Sequence, residues 1–337
     1  MYASIAGCEN AGSRLLPPVP ANFSAHAGAG KIVGVYPEEA YMLGVRRILF
    51  PVVLIVSLGP FLITGCYKGK APDVRYVPTP DGVVMDMLQT ARVTQNDIVY
   101  DLGCGDGRFV ITAAKIFGAR GVGVDIDPFR VQESRENARK AGVTDRVRFI
   151  EQDLFQTDIG EATVVALYLS ADLNLKLRPK LFQELKPGTR ILSHEFSMGD
   201  WKPDRSGRTG RVKIFYNLQN PQETETNYYF WVIPANVAGL WRLCISTSMG
   251  DQEYSLRLDQ TFQEIRGKVT VRGREVPITQ PRLAGDQLNF TFREGKNKQK
   301  AVMRFEGRIS GDTISGNVVV QGGPSAESYS WTAKREF

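Results

Sequence analysis

The stretch Asp101-Leu102-Gly103-Cys104-Gly105-Asp106-Gly107 constrains this chain more than any other. It follows the apolar run Ile98-Val99-Tyr100 and precedes Phe109, Val110, Ala113, Ala114 and Ile116, which recur at helical spacing. The glycines therefore sit on a turn from strand to helix, the building unit of an α/β domain with a parallel sheet. Glycine at 103, 105 and 107 removes the β-carbons from one rim of that turn, which opens positive φ to the backbone and lets a ligand lie against main chain.

The spacing and charge of the turn narrow the ligand. Dinucleotide sites usually read G-x-G-x-x-G and seat a pyrophosphate on the helix N-terminus. Here the spacing is G-x-G-x-G, and Asp101 precedes the first glycine by two positions, where it would repel a diphosphate. An acid at that point suits a ligand with a cationic end, and S-adenosylmethionine (SAM) carries both a sulfonium and an ammonium. Gly121-Val122-Gly123-Val124-Asp125 reads as the next buried strand, with Asp125 placed to accept from ribose hydroxyls. A third unit, Arg146 to Asp153, alternates and again closes on an acid, so that Asp153 is placed for the adenine amino group. Gly103, Gly105 and Gly107 complete the candidate cofactor loop.

With these residues in view, the chain resembles the class I SAM-dependent methyltransferases from about Tyr76 to Pro234. Within that class, Tyr76-Val77-Pro78-Thr79-Pro80, the loop D-L-G-C-G-D-G-R, Leu167-Tyr168-Leu169, Asn174 and Leu177-Arg178-Pro179-Lys180 are similar to a branch that includes small protein-lysine methyltransferases of archaea and mitochondria. The resemblance implies that Thr79 and Asp101 lie near the methionine end of SAM and that Tyr168 faces the methyl group. The acceptor is then a protein lysine, or a small molecule handled by the same fold; the alternative from another class is a non-catalytic membrane lipoprotein whose β-domain does the binding. Tyr168 and Glu195 are the candidate catalytic residues, with Asp200 and Trp201 as further candidates to line the acceptor channel. His194 is either a hydrogen-bonded structural residue or a proton acceptor, and Cys104 reads as a small filler. In-line methyl transfer needs alignment of donor and acceptor, not a metal or a covalent intermediate.

Other acceptors fit less well. The strand after Thr163 lacks the Pro-Pro-aromatic tetrapeptide with which amino-methylating DNA enzymes stack a flipped base, and no Pro-Cys nucleophile appears there. The formal charge of +6 comes from 42 basic and 36 acidic residues that are interleaved along the chain, which describes a solvated mixed-charge surface better than a nucleic-acid footprint.

The sheet continues with strands at 162–169 and 190–196 flanking a helix at 173–185, and an antiparallel pair at 212–218 and 228–233 closes it at seven strands with helices on both faces. Beyond Pro234 helical spacing gives way to short alternating runs. These include Leu256/Leu258 with Phe262, Val269/Val271, Leu288/Phe290/Phe292 and Phe305. About eight strands between Trp241 and Trp331 make a small β-barrel or sandwich with a filled interior.

The front of the chain is of another kind. Residues 48–64 are almost uncharged, follow Arg46-Arg47, and lead through Ile63-Thr64-Gly65-Cys66, which resembles a bacterial lipobox with Cys66 as the acylated residue. The expected division is a leader or over-extended start at 1–41, a signal or membrane anchor at 42–66 opening at Met42, a methyltransferase domain at 67–234 and an all-β domain at 235–337. Membrane association follows, with the side of the membrane left open: flanking charges balance, and SAM is made in the cytoplasm. The four cysteines, Cys8, Cys66, Cys104 and Cys244, form no disulfide pattern.

Overall fold

The computed structural model describes residues 71–214, 222–295, 301–322 and 326–336, all within one compact unit, Cys66–Phe337. The leader, the signal-like segment and Cys66 lie outside the described residues.

The first sheet is built from strand-helix units. Helix α1 (Asp81–Thr90) precedes β1 (Ile98–Leu102), and then come α2 (Arg108–Phe117), β2 (Arg120–Asp125), α3 (Pro128–Ala141), β3 (Val147–Glu151), β4 (Val164–Leu167), α4 (Ala171–Glu184) and β5 (Arg190–His194). Strands β6 (Arg205–Ile214) and β7 (Gln222–Val232) finish it, in the order β3-β2-β1-β4-β5-β7-β6, with β7 antiparallel to β5. Asp127 caps α3 by accepting from Phe129 N, Pro128 occupies its first turn, and Gly142 ends it at φ 71°.

Strand periodicity divides the core. Val99, Val164, Ala166 and Leu192 pack with α1, α2 and α3 on one face, whereas Tyr100, Leu102, Val165, Leu167 and Ile191 pack with α4 on the other. The sixth strand departs from the expected 212–218. It begins at Arg205, which pairs with Phe230, and its residues Arg205 to Thr209 carry no apolar alternation because β6 is the sheet edge.

Nine strands form the second sheet: β8 (Gly239–Thr247), β9 (Gly250–Thr261), β10 (Glu264–Val271), β11 (Arg274–Pro277), β12 (Thr279–Ala284), β13 (Gln287–Glu294), β14 (Ala301–Ser310), β15 (Thr313–Gln321) and β16 (Ala326–Glu336). Every strand pairs antiparallel with its chain neighbours except across β11/β12, and β16 returns to pair with β8, so the meander is a barrel with one seam. Ile278 bridges the seam by donating its N–H to Gly267 O at 3.0 Å. Sequence patterning misses the seam strands because β11 and most of β12 are exposed on both sides and show no alternation. The interior is filled by aromatic rings: Phe290 stacks on Phe305 at 4.6 Å, and Trp331 meets Phe305 edge-on at 5.2 Å.

Phe262, expected from sequence to be part of a strand, stands at φ 55° on the β9–β10 turn and points away from the barrel interior. It packs at 5.9 Å against Trp201 of the first sheet's loop and at 5.7 Å against Phe182 of α4. Beside it, Trp201 Nε1 donates to Gln263 Oε1 at 2.8 Å, Gln263 Nε2 donates to Lys202 O at 2.7 Å, and Trp231 Nε1 donates to Trp201 O at 2.9 Å. Trp201 is wholly buried. Replacing it with Ala is expected to cost about 3–5 kcal/mol through the cavity left behind. Gln263→Ala is expected to cost about 1 kcal/mol. Urea unfolding measures both, and limited proteolysis reports whether the barrel loosens first in W201A.

Candidate active site

The carboxyl edge of the parallel strands holds a cavity of about 540 Å³. Thr79, Asp101, Gly103, Asp125, Asp153 and Tyr168 all line it. They reach it from separate parts of the chain: Thr79 just before α1, Asp101 on β1, Asp125 at the end of β2, Asp153 two residues after β3, and Tyr168 directly after β4. Parallel strands in register bring their ends to one side, and that edge is where ligands of open α/β sheets bind.

The three glycines of the turn do different work. Gly103, at φ 91°, is on the cavity wall. Gly105 and Gly107, at φ 53° and 79°, are not on the wall and instead permit close packing behind it. A β-carbon on Gly105 would lie 2.2 Å from Tyr76, and one on Gly107 would lie 2.7 Å from the Phe149 ring. Gly105 also donates its N–H to Asp125 Oδ2 at 2.8 Å, while Asp127 N donates to Asp125 Oδ1 at 3.0 Å. A carboxylate has about four acceptor positions, so Asp125 keeps lone pairs for a ligand's hydroxyls. Asp153 Oδ1 accepts from Phe155 N at 2.9 Å, which orients the carboxylate from its own turn.

Asp101 is buried, and that burial, followed by the neighbouring charges of Asp125 and Asp106, pushes its carboxyl up to about 8 against the opposing pull of Arg108. Arg108 is itself engaged: it grips Asp106 through Nη2–Oδ2 at 2.6 Å and Nε–Oδ1 at 3.0 Å, and donates from Nη1 to Thr79 O at 2.9 Å. This clamp ties the segment before α1 onto the glycine turn. Tyr76 roofs the same corner, with the Arg130 guanidinium 4.1 Å above its ring. Burial, reinforced by Asp106, pushes the Tyr76 phenol up to about 12, so it remains a neutral hydrogen-bonding group. Burial and the surrounding acids also hold the Cys104 thiol well above its ordinary range, which leaves it an inert part of the wall.

Tyr168 packs at 4.1 Å on His194, the last residue of β5, and at 6.3 Å on Phe196. Asn174 of α4 holds this loop by donating to Ser193 Oγ at 3.0 Å and Phe196 O at 3.1 Å, and Arg178 donates to Met198 O at 2.7 Å. Glu195, Asp200 and Trp201 do not line the cavity. The Glu195 carboxylate turns toward β7, where it accepts from Thr226 Oγ1 and from Asn227 N. Asp200 is exposed and paired with Arg178, and Trp201 is engaged at the barrel junction. His194 is buried between two hydroxyls, Thr79 Oγ1 at 3.2 Å from Nδ1 and Thr226 Oγ1 at 2.6 Å from Nε2.

Residues 101–205 match the family model of the ANTKMT methyltransferase domain. A protein-lysine N-methyltransferase of Saccharolobus islandicus is 53% identical over 133 residues, which cover 39% of this chain and 83% of that protein. The chain belongs to the protein-lysine N-methyltransferase family. Lysine N-methyltransferases of an ATP synthase subunit, from Xenopus laevis and Homo sapiens, are 33% and 31% identical, and the matched residues span 66% and 60% of their lengths and 45% and 43% of this chain. A crystal structure of an RNA methyltransferase from Salinibacter ruber in complex with S-adenosyl-L-homocysteine is 50% identical, covering 48% of this chain and 96% of that one, with a TM-score of 0.42.

The cofactor of the enzyme is SAM, and the cavity suits it. Its volume lies in the range of small-molecule sites. A buried carboxyl at one end, the acids Asp125 and Asp153 further along and the Gly103 backbone on the wall match a cationic methionine end joined to a nucleoside. What sequence reasoning missed is the Arg108 clamp, the Tyr76 roof and the role of Thr226, a strand residue with no local signal.

Two expectations follow. A cationic ligand beside Asp101 favours the carboxylate, so SAM binding at pH 7 should expel close to one proton from the wild type and none from Asp101→Asn; calorimetry in buffers of different ionisation enthalpy reads this directly. The raised Asp101 carboxyl also means that the free folded protein holds a proton that the unfolded chain releases near 3.8, so stability falls as pH rises toward 8. His194, lowered to about 4 by burial, acts oppositely and only below 6.5. Between pH 6.5 and 8 the loss should therefore be about 2 kcal/mol in the wild type. It should be absent in D101N, as denaturant titrations at the two pH values would show.

Proposed function

We propose that this enzyme transfers the methyl group of SAM to the side-chain amine of a lysine in a protein, with the amine entering beside Tyr168. The observation that carries this reading is the gathering of Asp101, Asp125, Asp153, Thr79 and Tyr168 around one cavity in a chain of the protein-lysine family. Asp101 holds the methionine end, with Thr79 lying near it, Asp125 holds the ribose and Asp153 the adenine. When bound, SAM supplies an electrophilic methyl on sulfur. The protein's part is alignment of an amine lone pair about 3 Å from that methyl, which is worth about 7–11 kcal/mol. A lysine ammonium has no lone pair, so it must lose its proton first. The apolar face of Tyr168 on the cavity wall favours the neutral amine by excluding water, and Phe196 packs behind it.

Membrane association through residues 42–66, with Cys66 as a lipidated residue, is part of the same proposal and is supported by the order of basic, apolar and small residues in the sequence. It places the enzyme beside a membrane, where a membrane-embedded or membrane-bound protein is the accessible acceptor.

Labelled SAM incubated with purified enzyme and a lysate should deliver label to precipitable protein as methyl-lysine, identified by mass analysis of digested peptides; label in the nucleic-acid or small-molecule fraction would overturn the acceptor. Asp125→Ala removes hydrogen bonds worth about 1–3 kcal/mol and should weaken SAM binding by about tenfold or more. Mass spectrometry of protein from its native membrane should find acyl chains on Cys66, and an unprocessed N-terminus would remove the lipoprotein assignment.

A further inference from the structure

A line of four side chains leads from the cavity wall to the far side of β5: Thr79, His194, Thr226 and Glu195. Its ends differ. Thr79 lines the cavity, whereas Glu195 is half-buried on the other side of His194, held at φ 63° by a bond from its N–H to Asn227 O at 2.8 Å. A non-glycine residue in that left-handed conformation is strained, and here the strain turns the carboxylate toward Thr226. Thr226 and His194 between them are fully buried.

The chemistry of the last member sets the direction of every bond. A carboxylate only accepts, so the Thr226 hydroxyl donates to Glu195 Oε1. Its proton being committed there, Thr226 Oγ1 can meet His194 Nε2 only as an acceptor, which places the imidazole proton on Nε2. Nδ1 is then bare and takes the proton of the Thr79 hydroxyl. Thr79 is left with nothing but lone pairs for the cavity. Burial keeps His194 neutral, with its pKa lowered to about 4, so the ring stays in this single-proton state at physiological pH. Tyr168 covers the ring, and among the described residues Glu195, at the far end, is the charged side chain hydrogen-bonded into the line.

We propose that this chain receives the proton that the acceptor ammonium must lose and delivers it to Glu195 and solvent, with Thr79 as the group that touches the amine and His194, Thr226 and Glu195 acting through it. The inference rests on the lysine reading of the site. One N–H of the ammonium donates to Thr79 Oγ1. As that proton crosses, the Thr79 proton moves to His194 Nδ1, the Nε2 proton moves to Thr226, and the Thr226 proton moves to Glu195, which releases it to water. The nitrogen keeps the N–H electron pair and uses it to bond the methyl carbon, while the sulfur–carbon pair stays on sulfur. One proton leaves per methyl transferred. Once the product has left, the chain regains its starting polarity by the reverse shift, in which Thr226 returns a proton to Nε2 and takes one from Glu195 and solvent, while the Nδ1 proton passes to Thr79 and its own proton to water in the emptied cavity.

The test begins without substrate. The chain has two histidines, His26 and His194, so ¹⁵N-histidine labelling gives spectra in which His194 is assigned by comparison with H26N. The Nε2–H tautomer is expected in the wild type and in Glu195→Gln, whose amide oxygen still accepts from Thr226; an Nδ1–H tautomer in the wild type overturns the proposal even if lysine methylation is established. In turnover, Thr226→Val and E195Q should lower kcat by about tenfold or more near neutral pH and move the acid limb of its pH profile upward, while SAM affinity stays unchanged. Thr226→Ser should restore both. Should T226V fail to fold, E195Q carries the decision, since a kcat and pH profile like those of the wild type would sink the relay.

Discussion

The positive-φ turn after β1 is the constraint on which the site depends. Because Gly105 and Gly107 carry no β-carbon, Tyr76 and Phe149 can close against the turn, and the Gly105 amide can point at Asp125. That single bond joins the end of β1 to the end of β2. It holds Asp125 near Asp101, whose carboxyl is pushed up first by its own burial and then by the charges of Asp125 and Asp106. The protein thus stores an electrostatic deficit in its free form that a cation relieves, a plain example of stability yielded at a binding site. Arg108 belongs to the same device, because its guanidinium grips Asp106 and Thr79 O and so points its donors away from Asp101.

Much of the donor half of the site is legible in the sequence. Each of Asp101, Asp125 and Asp153 ends or follows a short apolar strand, and strand ends in a parallel sheet converge by geometry alone, so local pattern predicts a shared edge. The part of the cavity edge around Tyr168 and His194 is less legible. Tyr168 interrupts an apolar run and is visible; Thr226 sits in an unremarkable strand far along the chain, and its contact with His194 exists only because β7 runs antiparallel beside β5. Sequence spacing points Glu195 into the channel, but a left-handed φ reverses the direction of its side chain, and no sequence pattern announces that conformation at a glutamate.

The same logic explains the errors in the β region. Alternation reveals strands with one buried face, and the core strands of the barrel show it. Seam strands β11 and β12 and the edge strand β6 bury little, so hydrophobic pattern is silent there and only pairing defines them. Phe262 misleads for a related reason: its apolar side chain belongs to a junction between two sheets, and sequence spacing cannot tell an interior from a shared boundary.

That boundary gives the barrel a mechanical meaning. Arg178 lies 5.2 Å over the Phe262 ring while it donates to Met198 O in the loop that carries Phe196 against Tyr168. The barrel therefore packs against the loop that follows β5, whereas the β1 to β3 side of the cavity is shaped by its own glycines. A change at that junction would be felt first at Phe196 and Tyr168, through the loop that Arg178 holds, and only then at the glycine turn.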